Sequence, residues 1–386
     1  MPTFDFKSLD TTHVTIHGAL DFDDRADGLG VRRLPAWTRP QVPQGLDVMA
    51  RMPSGVRVQL YTNATAIALE ALTTSLRFAA GEEVRVPFQL QIEQTLHTQY
   101  MVGGHAIKPN PNAPQGFEIV RGEPGEVCFS GLSDDMKFCE IWLPHNAYVA
   151  LRKLRLNDGA NLGELPFDSR KKWVHYGSSI SHCMEARVPS ETWPGVAARH
   201  AGMSLMNFGV GGQCHLDQFV ARTIREQECD LISLKIGINV INMDSMKERV
   251  FTPAMHGFLD TIREKQPTTP ILLISPIYCP SAETRPGPTI PDGAGKFQTN
   301  EANLNNGSLT LTRVREILEE VVELRRQAGD GHLEYFNGLE LFNADDRADL
   351  PDDLHPNPEG YIRMGDRFFE KFLRAFVPSI ESNQTN

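Results

Sequence analysis

The most constraining feature of the sequence is a change in hydrophobic rhythm near residue 171. From there on, short apolar runs alternate with amphipathic stretches that have helical spacing. The apolar runs, at 173–176, 204–208, 231–236 and 271–275, predict buried parallel strands. The amphipathic stretches, at 192–201, 216–227, 251–265, 309–327 and 359–376, predict helices. A repeat of strand and helix implies an α/β domain with a parallel sheet covered by helices on both faces.

The part of the chain before this change predicts β structure instead. Runs that alternate apolar and polar residues, or are short and apolar, occur at 56–61, 66–71, 84–92, 117–120, 136–143 and 148–156. Turn-forming Gly, Pro, Asn and Asp separate them, which is typical of an antiparallel β-sandwich. We therefore predict two domains, an N-terminal sandwich over 1–165 and an α/β domain over 166–386.

Length and charge exclude several classes of protein. A chain of 386 residues with 40% hydrophobic residues can form real cores. Its net charge of −11, without a dense basic cluster, argues against nucleic acid and anionic membranes as partners. No apolar stretch is long enough to cross a bilayer, and the first residues lack the pattern of a signal peptide. The six cysteines are dispersed, so reduced thiols and a cytoplasmic location are expected.

One segment, 276–308, fits neither pattern. It is rich in Pro, Gly and Asn and is long for a connection inside a compact domain. Because it follows a predicted strand of the parallel sheet, we expect it to form a rim beside the functional site.

Small and polar residues follow the first predicted parallel strand as Gly177-Ser178-Ser179. Ligands of open α/β sheets gather at the carboxyl ends of the strands, so Ser179 is placed where a nucleophile belongs. An ordinary turn of small residues is the alternative. Ser178 and Ser181 are rival hydroxyls that spacing does not eliminate.

Two further strand ends carry candidate hydrogen-bond donors. Gly211 and Gly212 follow the second strand, and glycine amides there can approach a substrate carbonyl closely. Asn239 follows the third strand and has a side-chain amide that can donate. A simple turn at the glycines and a helix cap at the asparagine are the alternatives.

The segment Asp352-Asp353-Leu354-His355-Pro356 is the sharpest signal. An aspartate three residues before a histidine can bend back and accept a hydrogen bond from its Nδ1. The histidine Nε2 is then free to accept a serine proton, as in a Ser-His-Asp arrangement. A solvated acidic turn with a surface histidine is the competing interpretation.

Taken in order, these four segments resemble blocks I, II, III and V of the SGNH (GDSL-like) hydrolase family. The resemblance implies that Ser179 is the nucleophile, His355 the base and Asp352 the orienting acid. It also implies an oxyanion hole made by Ser179, Gly212 and Asn239. Three neighbours depart from the common pattern of the family: Ser178, Gln213 and Val240 stand where aspartates are usual.

The resemblance extends to a two-domain subgroup with an N-terminal, jelly-roll-like β-sandwich. This subgroup is similar to some carbohydrate esterases and includes acyltransferases. It implies a flavodoxin-like α/β/α catalytic domain without metal or organic cofactor. The expected function is a serine esterase that cleaves an acyl ester, acetyl among the candidates, of a small-molecule or carbohydrate alcohol. An acyltransferase, and a carbohydrate-binding protein on an inactive scaffold, are the alternatives.

Two His/Cys pairs, His182-Cys183 and Cys214-His215, lie just past the first two blocks. A metal site or a disulfide between them is conceivable. Buried thiols that pack behind the site are the favoured interpretation.

Overall fold

A computed structural model describes residues 2–76, 85–110, 112–113, 116–299 and 307–382. The chain divides into two compact units. Unit 1 comprises 1–40, 47–169 and 187–190, and unit 2 comprises 41–46, 170–186 and 191–386. Among the described residues, no helix combines the length and the apolar character that a membrane span requires.

Unit 1 is built mainly from strands. They are β1 (Thr3–Asp5), β2 (Val14–His17), β3 (Asp21–Arg25), β4 (Gly28–Arg32), β5 (Arg57–Thr62), β6 (Ala66–Leu76), β7 (Arg85–Ile92), β8 (Thr95–Val102), β9 (His105–Pro109), β10 (Phe117–Val120), β11 (Gly125–Ser130), β12 (Lys137–Trp142), β13 (Ala147–Leu156) and β14 (Leu162–Gly163). Short 3₁₀ turns at Phe6–Ser8 and Ala36–Thr38 accompany them, while helix α1 (Gln44–Ala50) and the 3₁₀ turn Pro189–Glu191 each have residues in both units.

These strands form two sheets. One has the order β10-β9-β6-β13-β4-β3, with β1 also paired to β13 and β11 to β6. The other has the order β14-β5-β12-β7-β8, with β2 also paired to β5. All described pairs are antiparallel except β6 with β9, which is parallel. Both sheets contribute to one apolar core, for example through Leu69 and Val149 of the first and Val58 and Phe88 of the second. The predicted sandwich is confirmed.

Unit 2 follows the predicted rhythm of strands and helices. Its strands are β15 (Lys172–Gly177), β16 (Ser204–Gly209), β17 (Leu231–Lys235), β18 (Ile271–Ile274), β19 (Thr289–Pro291), β20 (Phe297–Thr299) and β21 (Leu333–Phe336). Its helices are α2 (Ser179–His182), α3 (Trp193–Ala201), α4 (Gln218–Arg225), α5 (Ile238–Asn242), α6 (Glu248–Arg263), α7 (Leu311–Gln327), α8 (Pro358–Phe368) and α9 (Arg374–Ser382), with 3₁₀ turns at Gly338–Glu340 and Ala344–Asp349.

The main sheet of unit 2 is parallel, with the order β16-β15-β17-β18-β21. Aromatic contacts show helices on both faces. Trp173 of β15 stacks on Phe368 of α8. Tyr176, three residues later and on the other face of the strand, stacks on Phe258 of α6. The predicted α/β/α class with a parallel sheet is therefore confirmed. The order of the strands reverses between β15 and β17, which places the ends of these two strands at the crevice where ligands bind in such folds.

Near the end of the chain, one predicted helix needs correction and one strand was not predicted. The helix predicted over 359–376 begins at Pro358 and is interrupted by a π-helical turn, Phe369–Leu373, before α9. The fifth strand, β21, was not predicted, because a four-residue Leu-Glu-Tyr-Phe run is too short to show a period.

Candidate active site

Ser179 lies at the end of β15, where Gly177 makes the turn into α2 possible. A Cβ at Gly177 would lie 2.2 Å from the Ser181 Oγ and 3.2 Å from the Lys235 carbonyl oxygen, so only glycine fits. Ser178 is the N-cap of α2, and its Oγ accepts a hydrogen bond from the Ile180 amide. Ser179 is thus the first helical residue, and its own amide has no acceptor within the helix.

The rival hydroxyls have other partners. Ser178 is 1% exposed and caps the helix, while Ser181 is fully buried with its Oγ 2.7 Å from the His175 Nε2. Ser179 is half-buried, and its Oγ lies 2.9 Å from the Nε2 of His355. Among the three serines, only Ser179 has a hydrogen bond to His355 in the described structure.

The Asp352 side chain bends back onto residues two and three positions further along the chain. Its Oδ1 accepts hydrogen bonds from the amides of Leu354 and His355, at 2.9 and 2.7 Å. Its Oδ2 lies 2.7 Å from the His355 Nδ1. Because a carboxylate only accepts hydrogen bonds, Nδ1 carries the proton and Nε2 faces the Ser179 hydroxyl as an acceptor. Ser179, His355 and Asp352, predicted from distant segments, thus form one hydrogen-bonded array.

The array changes the pKa of both titratable members. Burial lowers the pKa of His355, but the hydrogen bond to Asp352 and the charges of Glu185 and Asp352 outweigh burial, so the pKa is raised above its ordinary value. Burial raises the pKa of Asp352, but its hydrogen bonds and the His355 charge outweigh burial, so this pKa is lowered. Asp352 is therefore ionised at neutral pH, and His355 holds a proton more readily than an ordinary histidine.

The Asn239 side chain is oriented by a backbone donor. Its Oδ1 accepts a hydrogen bond from the Cys214 amide at 3.0 Å, which connects α5 to the segment that contains Gly212. No described residue accepts a hydrogen bond from the Asn239 Nδ2 or from the Gly212 amide. Gly212 has a φ of +68°, and its carbonyl oxygen lies 3.2 Å from the His215 Nε2. Two donors thus remain unused on the segments that follow β16 and β17.

The described part of the segment 276–308 contacts the array. Strands β19 and β20 form a hairpin, and the Phe297 amide donates to the Asp352 carbonyl oxygen at 3.1 Å. The Phe297 ring lies 6.2 Å from the His355 ring, edge to face. The segment therefore borders the candidate site, as expected; its residues 300–306 lie outside the described residues.

Several polar residues beside the array were missed by sequence reasoning. The Tyr361 hydroxyl of α8 donates to Glu185 at 2.8 Å, and Glu185 contributes to the raised pKa of His355. Beneath the turn, His175 is fully buried between Ser181 and Ser233, and burial lowers its pKa to about 3. Lys235 is 2% exposed at the end of β17, and burial lowers its pKa to about 8. In the sequence, the signal for these buried residues was a His and a Lys inside otherwise apolar strand segments.

The cysteines of the two His/Cys pairs do not form a disulfide. All six cysteines are free, and both Cys183 and Cys214 are fully buried. Burial raises the pKa of Cys214 to about 12, so its thiol stays protonated. Within the described ranges, no group of three or more His, Cys, Asp or Glu side chains is arranged to hold a metal ion.

Comparison with known proteins places this geometry in a family context. Residues 175–363 match the model of the GDSL-like lipase/acylhydrolase family. A comparison with curated proteins finds no match.

Solved structures resemble the chain over nearly its whole length. A salicylyl-acyltransferase, SsfX3, from a tetracycline biosynthetic pathway is 26% identical with a TM-score of 0.79, and the match covers 97% of this chain and 98% of that one. A family two carbohydrate esterase from Clostridium thermocellum is 13% identical, with a TM-score of 0.57 and coverage of 93% and 97%. An acetyl xylan esterase, Est2A, from Butyrivibrio proteoclasticus is 11% identical, with a TM-score of 0.55 and coverage of 97% and 99%.

Proposed function

We propose that this protein is a serine esterase acting through an acyl-enzyme on Ser179, since residues 175–363 match the GDSL-like lipase/acylhydrolase family. The observation that carries the proposal is the continuous hydrogen-bonded array from the Ser179 Oγ through His355 to Asp352. A hydroxyl within 2.9 Å of an unprotonated imidazole nitrogen is positioned to lose its proton as it attacks.

The first half of the reaction forms the acyl-enzyme. The Ser179 Oγ attacks the carbonyl carbon of the ester and its proton passes to the His355 Nε2. Asp352 stabilises the imidazolium through Nδ1. The carbonyl oxygen becomes an oxyanion, which accepts hydrogen bonds from the amides of Ser179 and Gly212 and from the Asn239 Nδ2. The carbon–oxygen bond to the alcohol then breaks, and the departing oxygen takes the proton from Nε2.

The second half releases the acyl group. Water enters, gives a proton to the His355 Nε2 and adds its oxygen to the acyl carbon. The tetrahedral intermediate collapses, the bond to the Ser179 Oγ breaks, and Oγ recovers its proton from Nε2. The carboxylic acid leaves, and every proton taken up by His355 has been returned. The residues in these steps need no metal or organic cofactor.

A fluorophosphonate probe, which reacts with activated serines, tests the assignment. Wild-type protein should be labelled, and Ser179→Ala should abolish labelling. Ser178→Ala and Ser181→Ala are the matched controls and should still label, because those hydroxyls have other partners. Equal labelling of wild type and Ser179→Ala would refute a serine enzyme at this position, and loss only in Ser178→Ala or Ser181→Ala would move the nucleophile to that residue.

Acyl transfer to an alcohol is the second candidate. It is favoured by the match to the salicylyl-acyltransferase, which is the most identical of the three structures described, at 26% against 13% and 11%. Transfer and hydrolysis differ only in whether an alcohol or water attacks the acyl-enzyme.

The two candidates are separated by supplying p-nitrophenyl acetate with and without an acceptor alcohol. A hydrolase should release acetate at a rate that does not depend on the alcohol. A transferase should show a burst of p-nitrophenol, slow turnover in water alone, and formation of the new ester when the alcohol is added. The carbohydrate esterase structures suggest sugar alcohols as the first acceptors to try, and the salicylyl-acyltransferase suggests a salicylyl ester as a second acyl donor.

A further inference from the structure

The first sheet of unit 1 carries a pocket on the face that points away from the sandwich core. Ile67, Leu69 and Ala71 of β6 face the core, and because side chains alternate along a strand, Leu72 and Thr74 face outward. Leu72 lies opposite Ala150 and Thr74 opposite Tyr148, and none of these four residues belongs to the sandwich core. An outer face of an antiparallel sheet is normally polar and wet.

This outer-face pocket has a volume of about 360 Å³, within the range of roughly 300–1,000 Å³ of small-molecule sites. It lies wholly within unit 1 and includes none of the residues of the Ser179 array. The side chains that characterise it come from β6, β9, β10 and β13; they are Leu72, Ile107, Phe117, Ile119, Tyr148 and Ala150.

The floor of the pocket is low because its central residues are small. Ala150 of β13 lies between Leu72 of β6 and Gly30 of β4, and Gly30 in turn pairs with Asp23. A glycine and an alanine side by side leave space above the sheet that larger side chains would fill. Leu72 and Ala150 are each 5% exposed, so this floor is apolar and recessed.

A second wall of the pocket is apolar and exposed. Ile107 of β9 pairs with Ile119 of the edge strand β10. Phe117, two residues before Ile119, lies on the same face of β10. Ile119 is 56% exposed and Phe117 is 40% exposed. Apolar side chains that remain exposed at the rim of a pocket mark a surface that gains free energy when a ligand covers it.

Between floor and wall runs a row of three polar side chains. Tyr148, Thr74 and His105 lie opposite one another across β13, β6 and β9. The His105 Nδ1 accepts a hydrogen bond from the Gly122 amide at 3.0 Å, so its Nε2 carries a proton and is a donor. Burial raises the pKa of Tyr148 to about 12, so its hydroxyl is neutral. No described residue is hydrogen-bonded to the His105 Nε2, the Thr74 Oγ1 or the Tyr148 Oη.

The charged groups of the pocket already have partners of opposite sign. Arg51 pairs with Asp47 at 2.7 Å, and Arg25 pairs with Asp27 at 2.7 Å. Asp23 pairs with Arg39 at 3.0 Å. A charged ligand would lose its hydration without gaining a free counter-charge, whereas an uncharged ligand meets no such cost.

We propose that the outer-face pocket binds an uncharged, hydroxyl-bearing ring compound. The apolar face of the ring would cover Ile119, Phe117 and the floor formed by Leu72 and Ala150. Its oxygens would form hydrogen bonds with the Tyr148 Oη, the Thr74 Oγ1 and the His105 Nε2. A sugar ring and a phenolic ring share this chemistry. The proposal is independent of the acyl-transfer site.

Titration of the 386-residue protein with two probes tests the proposal. Cellobiose represents the sugar source and 2-naphthol the phenolic source, while 2-naphthalenesulfonate is the charged control. At least one neutral probe should bind, and the sulfonate should bind at least tenfold more weakly than 2-naphthol. The neutral probe that binds more tightly identifies whether the natural ligand is a sugar or a phenol. No binding of either neutral probe at millimolar concentration, or equal binding of the sulfonate, would overturn the proposal.

Paired variants on one strand locate the binding. Ile119→Lys places a charge in the apolar wall, whereas Val120→Lys, the matched control, changes the next residue, which points to the opposite face and is also exposed. We expect Ile119→Lys to weaken binding at least tenfold and Val120→Lys to leave it within about twofold. Tyr148→Phe, which removes one hydroxyl, should weaken binding about three- to tenfold. Equal binding by both lysine variants would place the ligand elsewhere and refute the pocket.

Discussion

The side-chain amide of Asn239 is the group on which the proposed oxyanion stabilisation depends most sharply. Its Oδ1 is occupied by the Cys214 amide, so the Nδ2 is oriented without being consumed. Replacing Asn239 with Ala should lower kcat by about 10² to 10³, the usual effect of losing one oxyanion donor, with a smaller change in KM. Steady-state kinetics on p-nitrophenyl acetate measure both constants.

Asn242 on the same helix provides the control for this prediction. Its Oδ1 accepts from the Thr289 hydroxyl, and it takes no part in the proposed chemistry. Asn242→Ala should keep kcat within a few-fold of wild type. A similar loss in both variants would mean that the effect comes from disturbing α5 and not from the lost donor.

His355 and Asp352 lead to a prediction about pH. In the proposed mechanism His355 must be neutral to accept the Ser179 proton, and its pKa is raised above 6.5. The kcat/KM of the wild type should therefore fall as pH decreases through a value above 6.5. In Asp352→Asn the hydrogen bond to the carboxylate and its charge are lost, and only the Glu185 charge still opposes the effect of burial, so the acid limb should move to lower pH. The plateau should fall by about 10⁴, the effect that the corresponding Asp→Asn substitution has in a Ser-His-Asp enzyme.

The adjacent carboxylate is the control for the pH profile. Asp353 pairs with Lys296 at 2.9 Å rather than with His355. Asp353→Asn should leave the acid limb in its wild-type position. A rate that is flat through this range in the wild type, or an identical shift in both variants, would contradict the role of Asp352.

Lys235 leads to a prediction about stability. Its folded pKa is about 8 against 10.5 for an ordinary lysine, because burial disfavours the charged form. At pH 7, below both values, the full cost of burying the charge is present, and a difference of about 2.5 units corresponds to about 3 kcal/mol. Lys235→Met should therefore raise the free energy of unfolding by up to about 3 kcal/mol at pH 7. This gain should shrink as pH rises from 8 to 10.5.

Denaturant unfolding at several pH values measures this effect. Lys172→Met is the matched control, since Lys172 is partly exposed, is paired with Glu228 and precedes the buried part of β15. Its free energy of unfolding should stay within about 0.5 kcal/mol of wild type. A Lys235→Met variant that is less stable than wild type at pH 7 would show that the ammonium group is held by stabilising interactions.

At the scale of elements, the turn between β15 and α2 depends on the absence of a side chain. A Cβ at position 177 would lie 2.2 Å from the Ser181 Oγ and 2.8 Å from its Cβ. Gly177→Ala should therefore destabilise the protein by about 1–3 kcal/mol and displace α2, with a loss of fluorophosphonate labelling. Gly257→Ala in α6 is the control, because a Cβ there meets nothing within 4 Å. It should be neutral or stabilising by up to about 1 kcal/mol.

How well an element was predicted depended on its length and periodicity. The amphipathic α7 (Leu311–Gln327) and the alternating β5 (Arg57–Thr62) have several periods, and both were located to within two residues. The four-residue β21 and the short strands before Arg32 have too few residues to show a period. The π-helical turn at Phe369–Leu373 lies inside a continuous helical pattern, where local sequence does not reveal it.

For the whole molecule, charge leads to a prediction about association. With 38 basic and 49 acidic residues, the protein carries a net charge of −11 near neutral pH. It should be repelled by polyanions, so we expect no binding to duplex DNA or to phosphatidylserine vesicles at 50 mM salt. Gel-shift and vesicle co-sedimentation assays measure this. Binding that weakens steeply with added salt would reveal a basic patch that the net charge conceals.

Hydrophobic periods and the order of Ser179, Gly212, Asn239 and the Asp352–His355 pair are local properties of the chain, so they suffice to predict the class of both units and the chemical types of the candidate site. Among the three serines, the residues alone leave the nucleophile open and the family resemblance favours Ser179, whereas the hydrogen-bond partner of each hydroxyl is visible only after folding. Ser178, Ser179 and Ser181 are chemically alike, and what distinguishes them is that one reaches His355, one caps a helix and one is buried against His175.

The same holds for Lys235, Glu185 and the outer-face pocket. Burial, pKa and unused hydrogen bonds arise from residues that are far apart in sequence and adjacent only after folding.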